Sequence, residues 1–267
     1  MTNLISKLSV AFMLLIVSAV SLQANTISAY YDAAYADEKQ IQSKLEASGF
    51  NVLATYSPAN KDYLKVIIFT NKELTTIASK KTRGFAAIQR VLVNNQAKTV
   101  RVTNPGYWLR GFMQKEFTPG SDKGTQDAIA KALGTLTPTI DVLAEKDIAT
   151  YQYAVSMPHY QDMLEIKTGE GLAAKIKKKK LFEVMLDNGS ILVGVKMSKS
   201  SENFIETIGE ENALVLPYTL LIEDGKAYAL HAKFYLAMSY PLLTLGQFMK
   251  ISSVPDAIER KLKKSFK

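Results

Sequence analysis

Two histidines and no cysteine bound the chemistry available to this 267-residue chain. Without a thiol there is no disulfide framework, thiol nucleophile, cysteine zinc site, iron–sulfur cluster or covalently attached haem. Two imidazoles leave little room for an all-protein zinc or copper site, so no metal site is expected. His231 could move a proton or serve as a lone metal ligand, but one imidazole without a second ligand nearby also suits a structural role. His159 follows Pro158 in a loop and carries no such context. Carboxylates recur as neighbours: Asp37-Glu38, Glu202 with Glu206, Glu210-Glu211 and Glu223-Asp224. Paired acids do acid–base work when burial raises one pKa; at helix starts and turns they cap and solvate. Ser198, Ser200 and Ser201 flank Lys196 and Lys199, the residue types of a nucleophile and its base. They lack the Ser-x-x-Lys order, and a polar connection before a helix accounts for them. Neither G-x-G-x-x-G nor a P-loop pattern occurs, and no cofactor is expected.

Binding chemistry is better represented. Tyr107, Trp108 and Leu109 follow Pro105 and precede Arg110; Tyr235, Leu236 and Tyr240 occupy the matching region further on. Aromatics at the start of a short helix can wall an apolar ligand pocket; equally they fill a core or an interface between halves. Tyr107, Trp108, Arg110, His231 and Tyr235 are therefore the candidate ligand-binding residues. Lys175, Lys177, Lys178, Lys179 and Lys180 form the densest charge cluster and are candidates for contact with an anionic surface. Arg260, Lys261, Lys263, Lys264 and Lys267 form a second cluster. Cations at a solvated helix end are the alternative explanation. No RNA- or DNA-binding motif accompanies the charge, so nucleic acid is not expected as a partner.

The elements that position these residues are written twice. Residues 84–104 match residues 212–232 in pattern at a constant shift of 128, which sets His231 over Thr103. Each copy reads as strand, turn, strand, with Asp224-Gly225 a strong hairpin pair. Upstream, Ile41 and Leu45 mark a helix over 37–48 stopped by Gly49. A strand follows over 50–56, and 65–70 is a continuous apolar strand. Thr70 and Glu73 form a capping-box pattern before a helix burying Leu74, Ile77 and Ala78. In the second copy a helix is predicted over about 169–180, a hairpin over 181–197 and a short helix over 201–208. An extra strand precedes each first helix, at 26–31 and at 164–167 or 151–157. The fold class expected is α+β: two tandem similar domains, each a mainly antiparallel sheet with helices packed on one face.

This pattern resembles the DUF302 family, a bacterial domain of unknown function. Gly49-Phe50 fits its first helix-to-strand step, and Val66-Ile67-Ile68-Phe69-Thr70-Asn71 its apolar strand. Leu214-Val215-Leu216-Pro217 carries its Leu–Pro signature and Glu223-Asp224-Gly225-Lys226 its turn. Asn104-Pro105-Gly106-Tyr107-Trp108-Leu109 matches its closing helix. The first copy has Ile88-Gln89 in place of the Leu–Pro step, and the second has Ala232-Lys233 in place of the closing Pro. The resemblance implies a compact α+β fold and, because such domains are expected to pair, a monomeric pseudo-dimer or a homodimer; it lends no activity.

Met1 to Ala24 reads as a secretory signal peptide: Lys7 supplies the positive region, an apolar run spans 8–20, and cleavage is expected near Ala24. The segment order is then a leader over 1–24, a first domain over 25–117, a helical linker over 118–148 and a second domain over 149–267. Of the formal charge of +8, the leader holds only Lys7, and the remainder concentrates in the two lysine-rich clusters. The reading is an exported, periplasmic, non-catalytic protein binding a small apolar molecule or a protein partner between its halves. The alternatives are an enzyme using a carboxylate or histidine in that cleft, and an envelope-associated protein docking through its basic clusters.

Overall fold

The computed structural model describes residues 25–266; the predicted leader and its cleavage position lie outside them. The chain opens with β1 (Thr26–Ser28), β2 (Tyr30–Ala33), α1 (Glu38–Ala47), β3 (Asn51–Tyr56), β4 (Leu64–Thr70) and α2 (Lys72–Ala78). A 3-10 turn over Gly84–Ala87 leads into β5 (Gln89–Asn94), β6 (Thr99–Thr103) and α3 (Pro105–Met113). Then come α4 (Lys123–Leu133), β7 (Thr137–Pro138), β8 (Val142–Ala144) and α5 (Glu145–Ile148). The second half runs β9 (Leu164–Thr168), α6 (Leu172–Lys175), β10 (Lys180–Met185), β11 (Ile191–Val195), α7 (Lys199–Glu202) and α8 (Phe204–Ile208). A 3-10 turn over Glu210–Val215 precedes β12 (Tyr218–Glu223), β13 (Lys226–Ala229), α9 (Ala232–Ser239), α10 (Leu245–Lys250) and α11 (Val254–Lys263). The fold is α+β with antiparallel sheets. One sheet has the order β3-β4-β5-β6-β2-β7, the other β10-β11-β12-β13-β9, and β1 pairs with β8. With β7 set aside, the two large sheets share one strand order.

Local chemistry explains most boundaries. Asp37 and Gln40 form a reciprocal capping box at the start of α1, and Gly49 leaves it at φ +88°. The box predicted at Thr70 moves by one residue. Thr70 is still paired in β4, its hydroxyl donating to the Ala87 carbonyl at 2.6 Å, so Asn71 caps α2 by accepting from Leu74 N at 2.8 Å. Glu73 instead accepts from the Thr125 hydroxyl at 2.8 Å, tying α2 to α4. The helix predicted over 169–180 ends at Lys175, because Ile176 turns fully into the core and Lys180 already pairs with Val195. Of the two positions predicted for the extra strand in the second copy, 164–168 forms it, as β9.

The spacing between the two matched segments is not constant. Asn94 pairs with Thr99 across the first hairpin, so four residues turn there; Glu223 pairs with Lys226, so only two turn in the second. Matching positions are therefore 129 apart before the turn and 127 apart after it. A shift of 128 averages over the two-residue difference and misplaces both strands by one. Leu92 corresponds to Leu221, Asn94 to Glu223, and His231 to Asn104 rather than Thr103.

Two apolar cores follow. On one face of the first sheet, Ile67, Phe69, Val91, Val93, Val100 and Val102 pack under Ile41 and Leu45 of α1 and Ile129 and Leu133 of α4. The segment 123–144 thus completes the first half: α4 covers its sheet, β7 extends it and β8 pairs with β1. The opposite face, carrying Val66, Ile68 and Leu92, belongs to a larger core shared with Leu192, Val195, Leu220 and Leu221 of the second sheet.

Contacts across this seam are reciprocal, as at a two-fold interface where one patch meets its own copy. Glu223, ending β12, accepts from the Thr82 amide at 3.0 Å. Its counterpart Asn94, ending β5, donates to Glu210 at 3.3 Å. Trp108 meets its counterpart Tyr235 edge to face, with ring centroids 5.9 Å apart. Gly84 lies against Leu221 so closely that a β-carbon there would stand 2.3 Å from its Cδ1.

Candidate functional site

The predicted aromatic residues do come together, and they do so inside the seam. Tyr107, Trp108 and Tyr235 are buried, at 0%, 5% and 3% exposure. Their polar atoms are already engaged: Trp108 Nε1 donates to Ala29 O at 2.9 Å and Tyr107 donates to Met238 O at 2.6 Å. Burial pushes the Tyr107 phenol well above its ordinary range. Arg110 stands apart from the rings. It is ion-paired with Glu145 and lies 4.3 Å over the Phe117 ring.

His231 caps α9: its Nδ1 accepts from Lys233 N at 3.2 Å, as its counterpart Asn104 accepts from Gly106 N at 2.9 Å in α3. An accepting Nδ1 requires the neutral ring with its proton on Nε2. Burial and the neighbouring Lys233 hold the imidazole below its usual 6.5. Replacing His231 by Ala is expected to cost about 1 kcal/mol and replacement by Asn a few tenths, as for other N-caps. Urea denaturation at pH 7.5 measures both, and an equal loss for the two variants would refute the capping role.

Open space between the halves occurs away from these rings. Two adjoining hollows, of about 290 and about 640 Å³, share Arg101 and Glu211. The smaller is lined by Ile140 and Asp141 from before the second half and by Asn212, Tyr240, Leu242 and Gln247 from within it. Arg101, directly opposite Leu92 on the face of the first sheet that turns toward the second half, is held by Asp32 at 2.9 Å and Asp141 at 3.6 Å. Glu210 accepts from Tyr63 at 2.5 Å and pairs with Lys61 at 3.1 Å. Burial pushes its carboxyl up, but the hydrogen bonds from Tyr63 and Lys61 outweigh burial and hold it below the ordinary carboxylate range. Glu211 is exposed and, among the described residues, has no ion-pair partner. Ile140 and Leu242 present apolar surface at the rim, 78% and 51% exposed. None of the five predicted ligand-binding residues lines either hollow. Along the sequence Arg101 is one polar side chain in an alternating strand, which reads as a solvent face; in the fold that face turns toward the second half.

A second polar feature is deeply buried. Glu202 of α7 is 3% exposed, and its Oε2 accepts from the Ala59 amide of the first half at 2.8 Å. Ala59 sits in the left-handed region at φ +53°, a conformation costing a residue with a β-carbon about 1–2 kcal/mol. The other oxygen of Glu202 has no partner among the described residues. Burial raises its carboxyl to about 7, against the opposing pull of the Ala59 hydrogen bond and Lys261. The serines before it are occupied: Ser201 Oγ accepts from Ser198 N at 3.0 Å and donates to Ser198 O at 2.8 Å, closing the start of α7.

Of the predicted surface lysines, Lys175, Lys177 and Lys178 are exposed, while Lys179 and Lys180 are half-buried. Lys180 pairs with Glu183 at 2.6 Å, and Lys179 Nζ donates to the Lys264 carbonyl. No helix among the described residues is long and apolar enough to cross a membrane, and no group of three or more metal-ligating side chains occurs among them. No family model matches the chain, and no curated protein or solved structure matches it.

Proposed function

We propose that this chain is an exported, non-catalytic binding protein that holds a small molecule in the cleft between two DUF302-like halves. The observation that carries the reading is the composition of that cleft. Exposed apolar side chains, Ile140 and Leu242, stand beside polar groups already fixed in place, Arg101, Asp141 and Asn212, and both halves contribute. Small-molecule sites combine an apolar lining with a few positioned polar groups at such junctions. The carboxylates of Asp32, Asp141, Glu210 and Glu211 outnumber the cations of Lys98 and Arg101 around the two hollows. The ligand class this favours has an apolar body and a basic or hydrogen-donating end. The shared strand order and reciprocal seam support reading the halves as two copies of one unit, the intramolecular form of a homodimer. Covalent linkage then keeps one half at high effective concentration for the other.

Native mass spectrometry of the protein purified from the exporting cell tests the proposal. The expected result is a small non-covalent adduct on the wild type that is lost in Leu242→Trp, where the indole fills the smaller hollow. An adduct retained equally by both proteins, or absent from the wild type, counts against a cleft ligand.

A further inference from the structure

Two lysine-rich stretches more than 80 residues apart in sequence converge on one surface. The Lys196 amide donates to the Lys179 carbonyl at 2.8 Å, joining the end of β11 to the turn before β10. Lys179 Nζ reaches the Lys264 carbonyl beyond α11, so the C-terminal cluster lies against the 175–180 cluster. The start of α7, with Lys199, packs on α11, which carries Arg260, Lys261 and Lys263. Lys177, Lys178, Lys196, Lys199, Arg260 and Lys264 are exposed, and none of them is ion-paired among the described residues. Of the carboxylates nearby, Glu183 is paired with Lys180, Glu259 with Lys263, and Glu202 lies below the surface, which leaves Asp256, one turn before Arg260, as the exposed acid beside the patch. The lysines also repel one another, since Lys261 is pushed below its ordinary value by burial and then by Lys179, Lys196 and Lys264.

We propose that this patch docks the protein onto an anionic lipid surface. The ammonium groups sit on separate exposed stems at the ends of a helix, a turn and a strand. The aromatic side chain nearest the patch in sequence, Phe266, is half-buried and offers no stacking platform. A planar array of headgroups satisfies such independent charges additively, at roughly fivefold in affinity per lysine.

The test uses the purified protein with vesicles of phosphatidylcholine alone or mixed with phosphatidylglycerol, at low and high salt. Two quadruple variants remove equal charge: K177Q/K178Q/K196Q/K264Q on the patch, and K39Q/K44Q/K123Q/K131Q on exposed positions of the first half. The expected result is binding only to the phosphatidylglycerol vesicles, screened away at high salt. The patch variant should weaken it by more than about a hundredfold, and the first-half variant by less than about twofold. Absence of binding at low salt overturns the proposal. So does an equal loss in both variants, which would reflect net charge alone. Tighter, patch-dependent binding of a single-stranded polynucleotide than of vesicles also overturns it.

Discussion

Glu202→Gln is expected to stabilise the protein at pH 8 by up to about 3 kcal/mol and to change little at pH 4. The carboxyl sits at about 7 when folded, raised by burial, against an ordinary 4.5. A group whose folded value is raised favours the folded state when protonated. That contribution is complete below pH 4.5 and is lost as pH climbs through about 7. Above that, folding confines a charge in a site where one oxygen has no partner. Glutamine keeps an acceptor for the Ala59 amide and removes the charge. Urea denaturation of both proteins between pH 4 and 8 gives the difference directly, cancelling groups common to both. Curves that run parallel over the whole range, or a Gln variant less stable at pH 8, would show that Glu202 is solvated in the folded protein. Because Glu202 bonds across the seam, the same measurement reports how far the halves depend on one another.

The second large effect is at Trp108, the sole tryptophan. Truncation to Ala is expected to cost about 3–5 kcal/mol, the range for emptying a large aromatic site in a core. The ring touches Tyr30, Tyr107, Phe112 and Tyr235, and its Nε1 hydrogen bond to the Ala29 carbonyl would also vanish, leaving that oxygen with the Asn104 amide as its donor. Pairing Trp108→Ala with Tyr235→Ala should give a total less than the sum of the two by about 1 kcal/mol, because the contact between counterparts is lost only once. Strict additivity would mean the halves do not meet through these rings. Trp108 fluorescence in the wild type should be blue-shifted and resist acrylamide. An exposed emission spectrum would place the ring in a pocket instead of the core.

Features that depend on a few neighbouring residues were legible in the chain. Gly49 ends α1 at φ +88°, and the apolar run in β4 is buried on both faces. Errors arose where a distant partner decides. Thr70 carries the right side chain for a cap, but Ala87 claims its hydroxyl within the sheet. The lysine-rich stretch has helical composition, yet from Lys180 onward the ladder with β11 takes the chain. A constant shift sets His231 one position off, because one hairpin turns in four residues and the other in two.

The candidate site divides along the same line. Aromatic residues at 107–108 and 235 announce burial, and they are buried; whether buried rings line a pocket or fill a core depends on what faces them. Arg101, Asp141, Glu211 and Leu242 look like ordinary surface residues along the chain, and they acquire meaning only where the halves leave a gap. Helix caps, turns and the alternation of strands are short-range, so the α+β class and its antiparallel hairpins could be read from the residues. The seam, the cleft beside it, the orphaned carboxyl of Glu202 and the merging of two basic clusters were decided by tertiary structure. Each joins residues tens to more than a hundred positions apart, where neither propensity nor local pattern carries information.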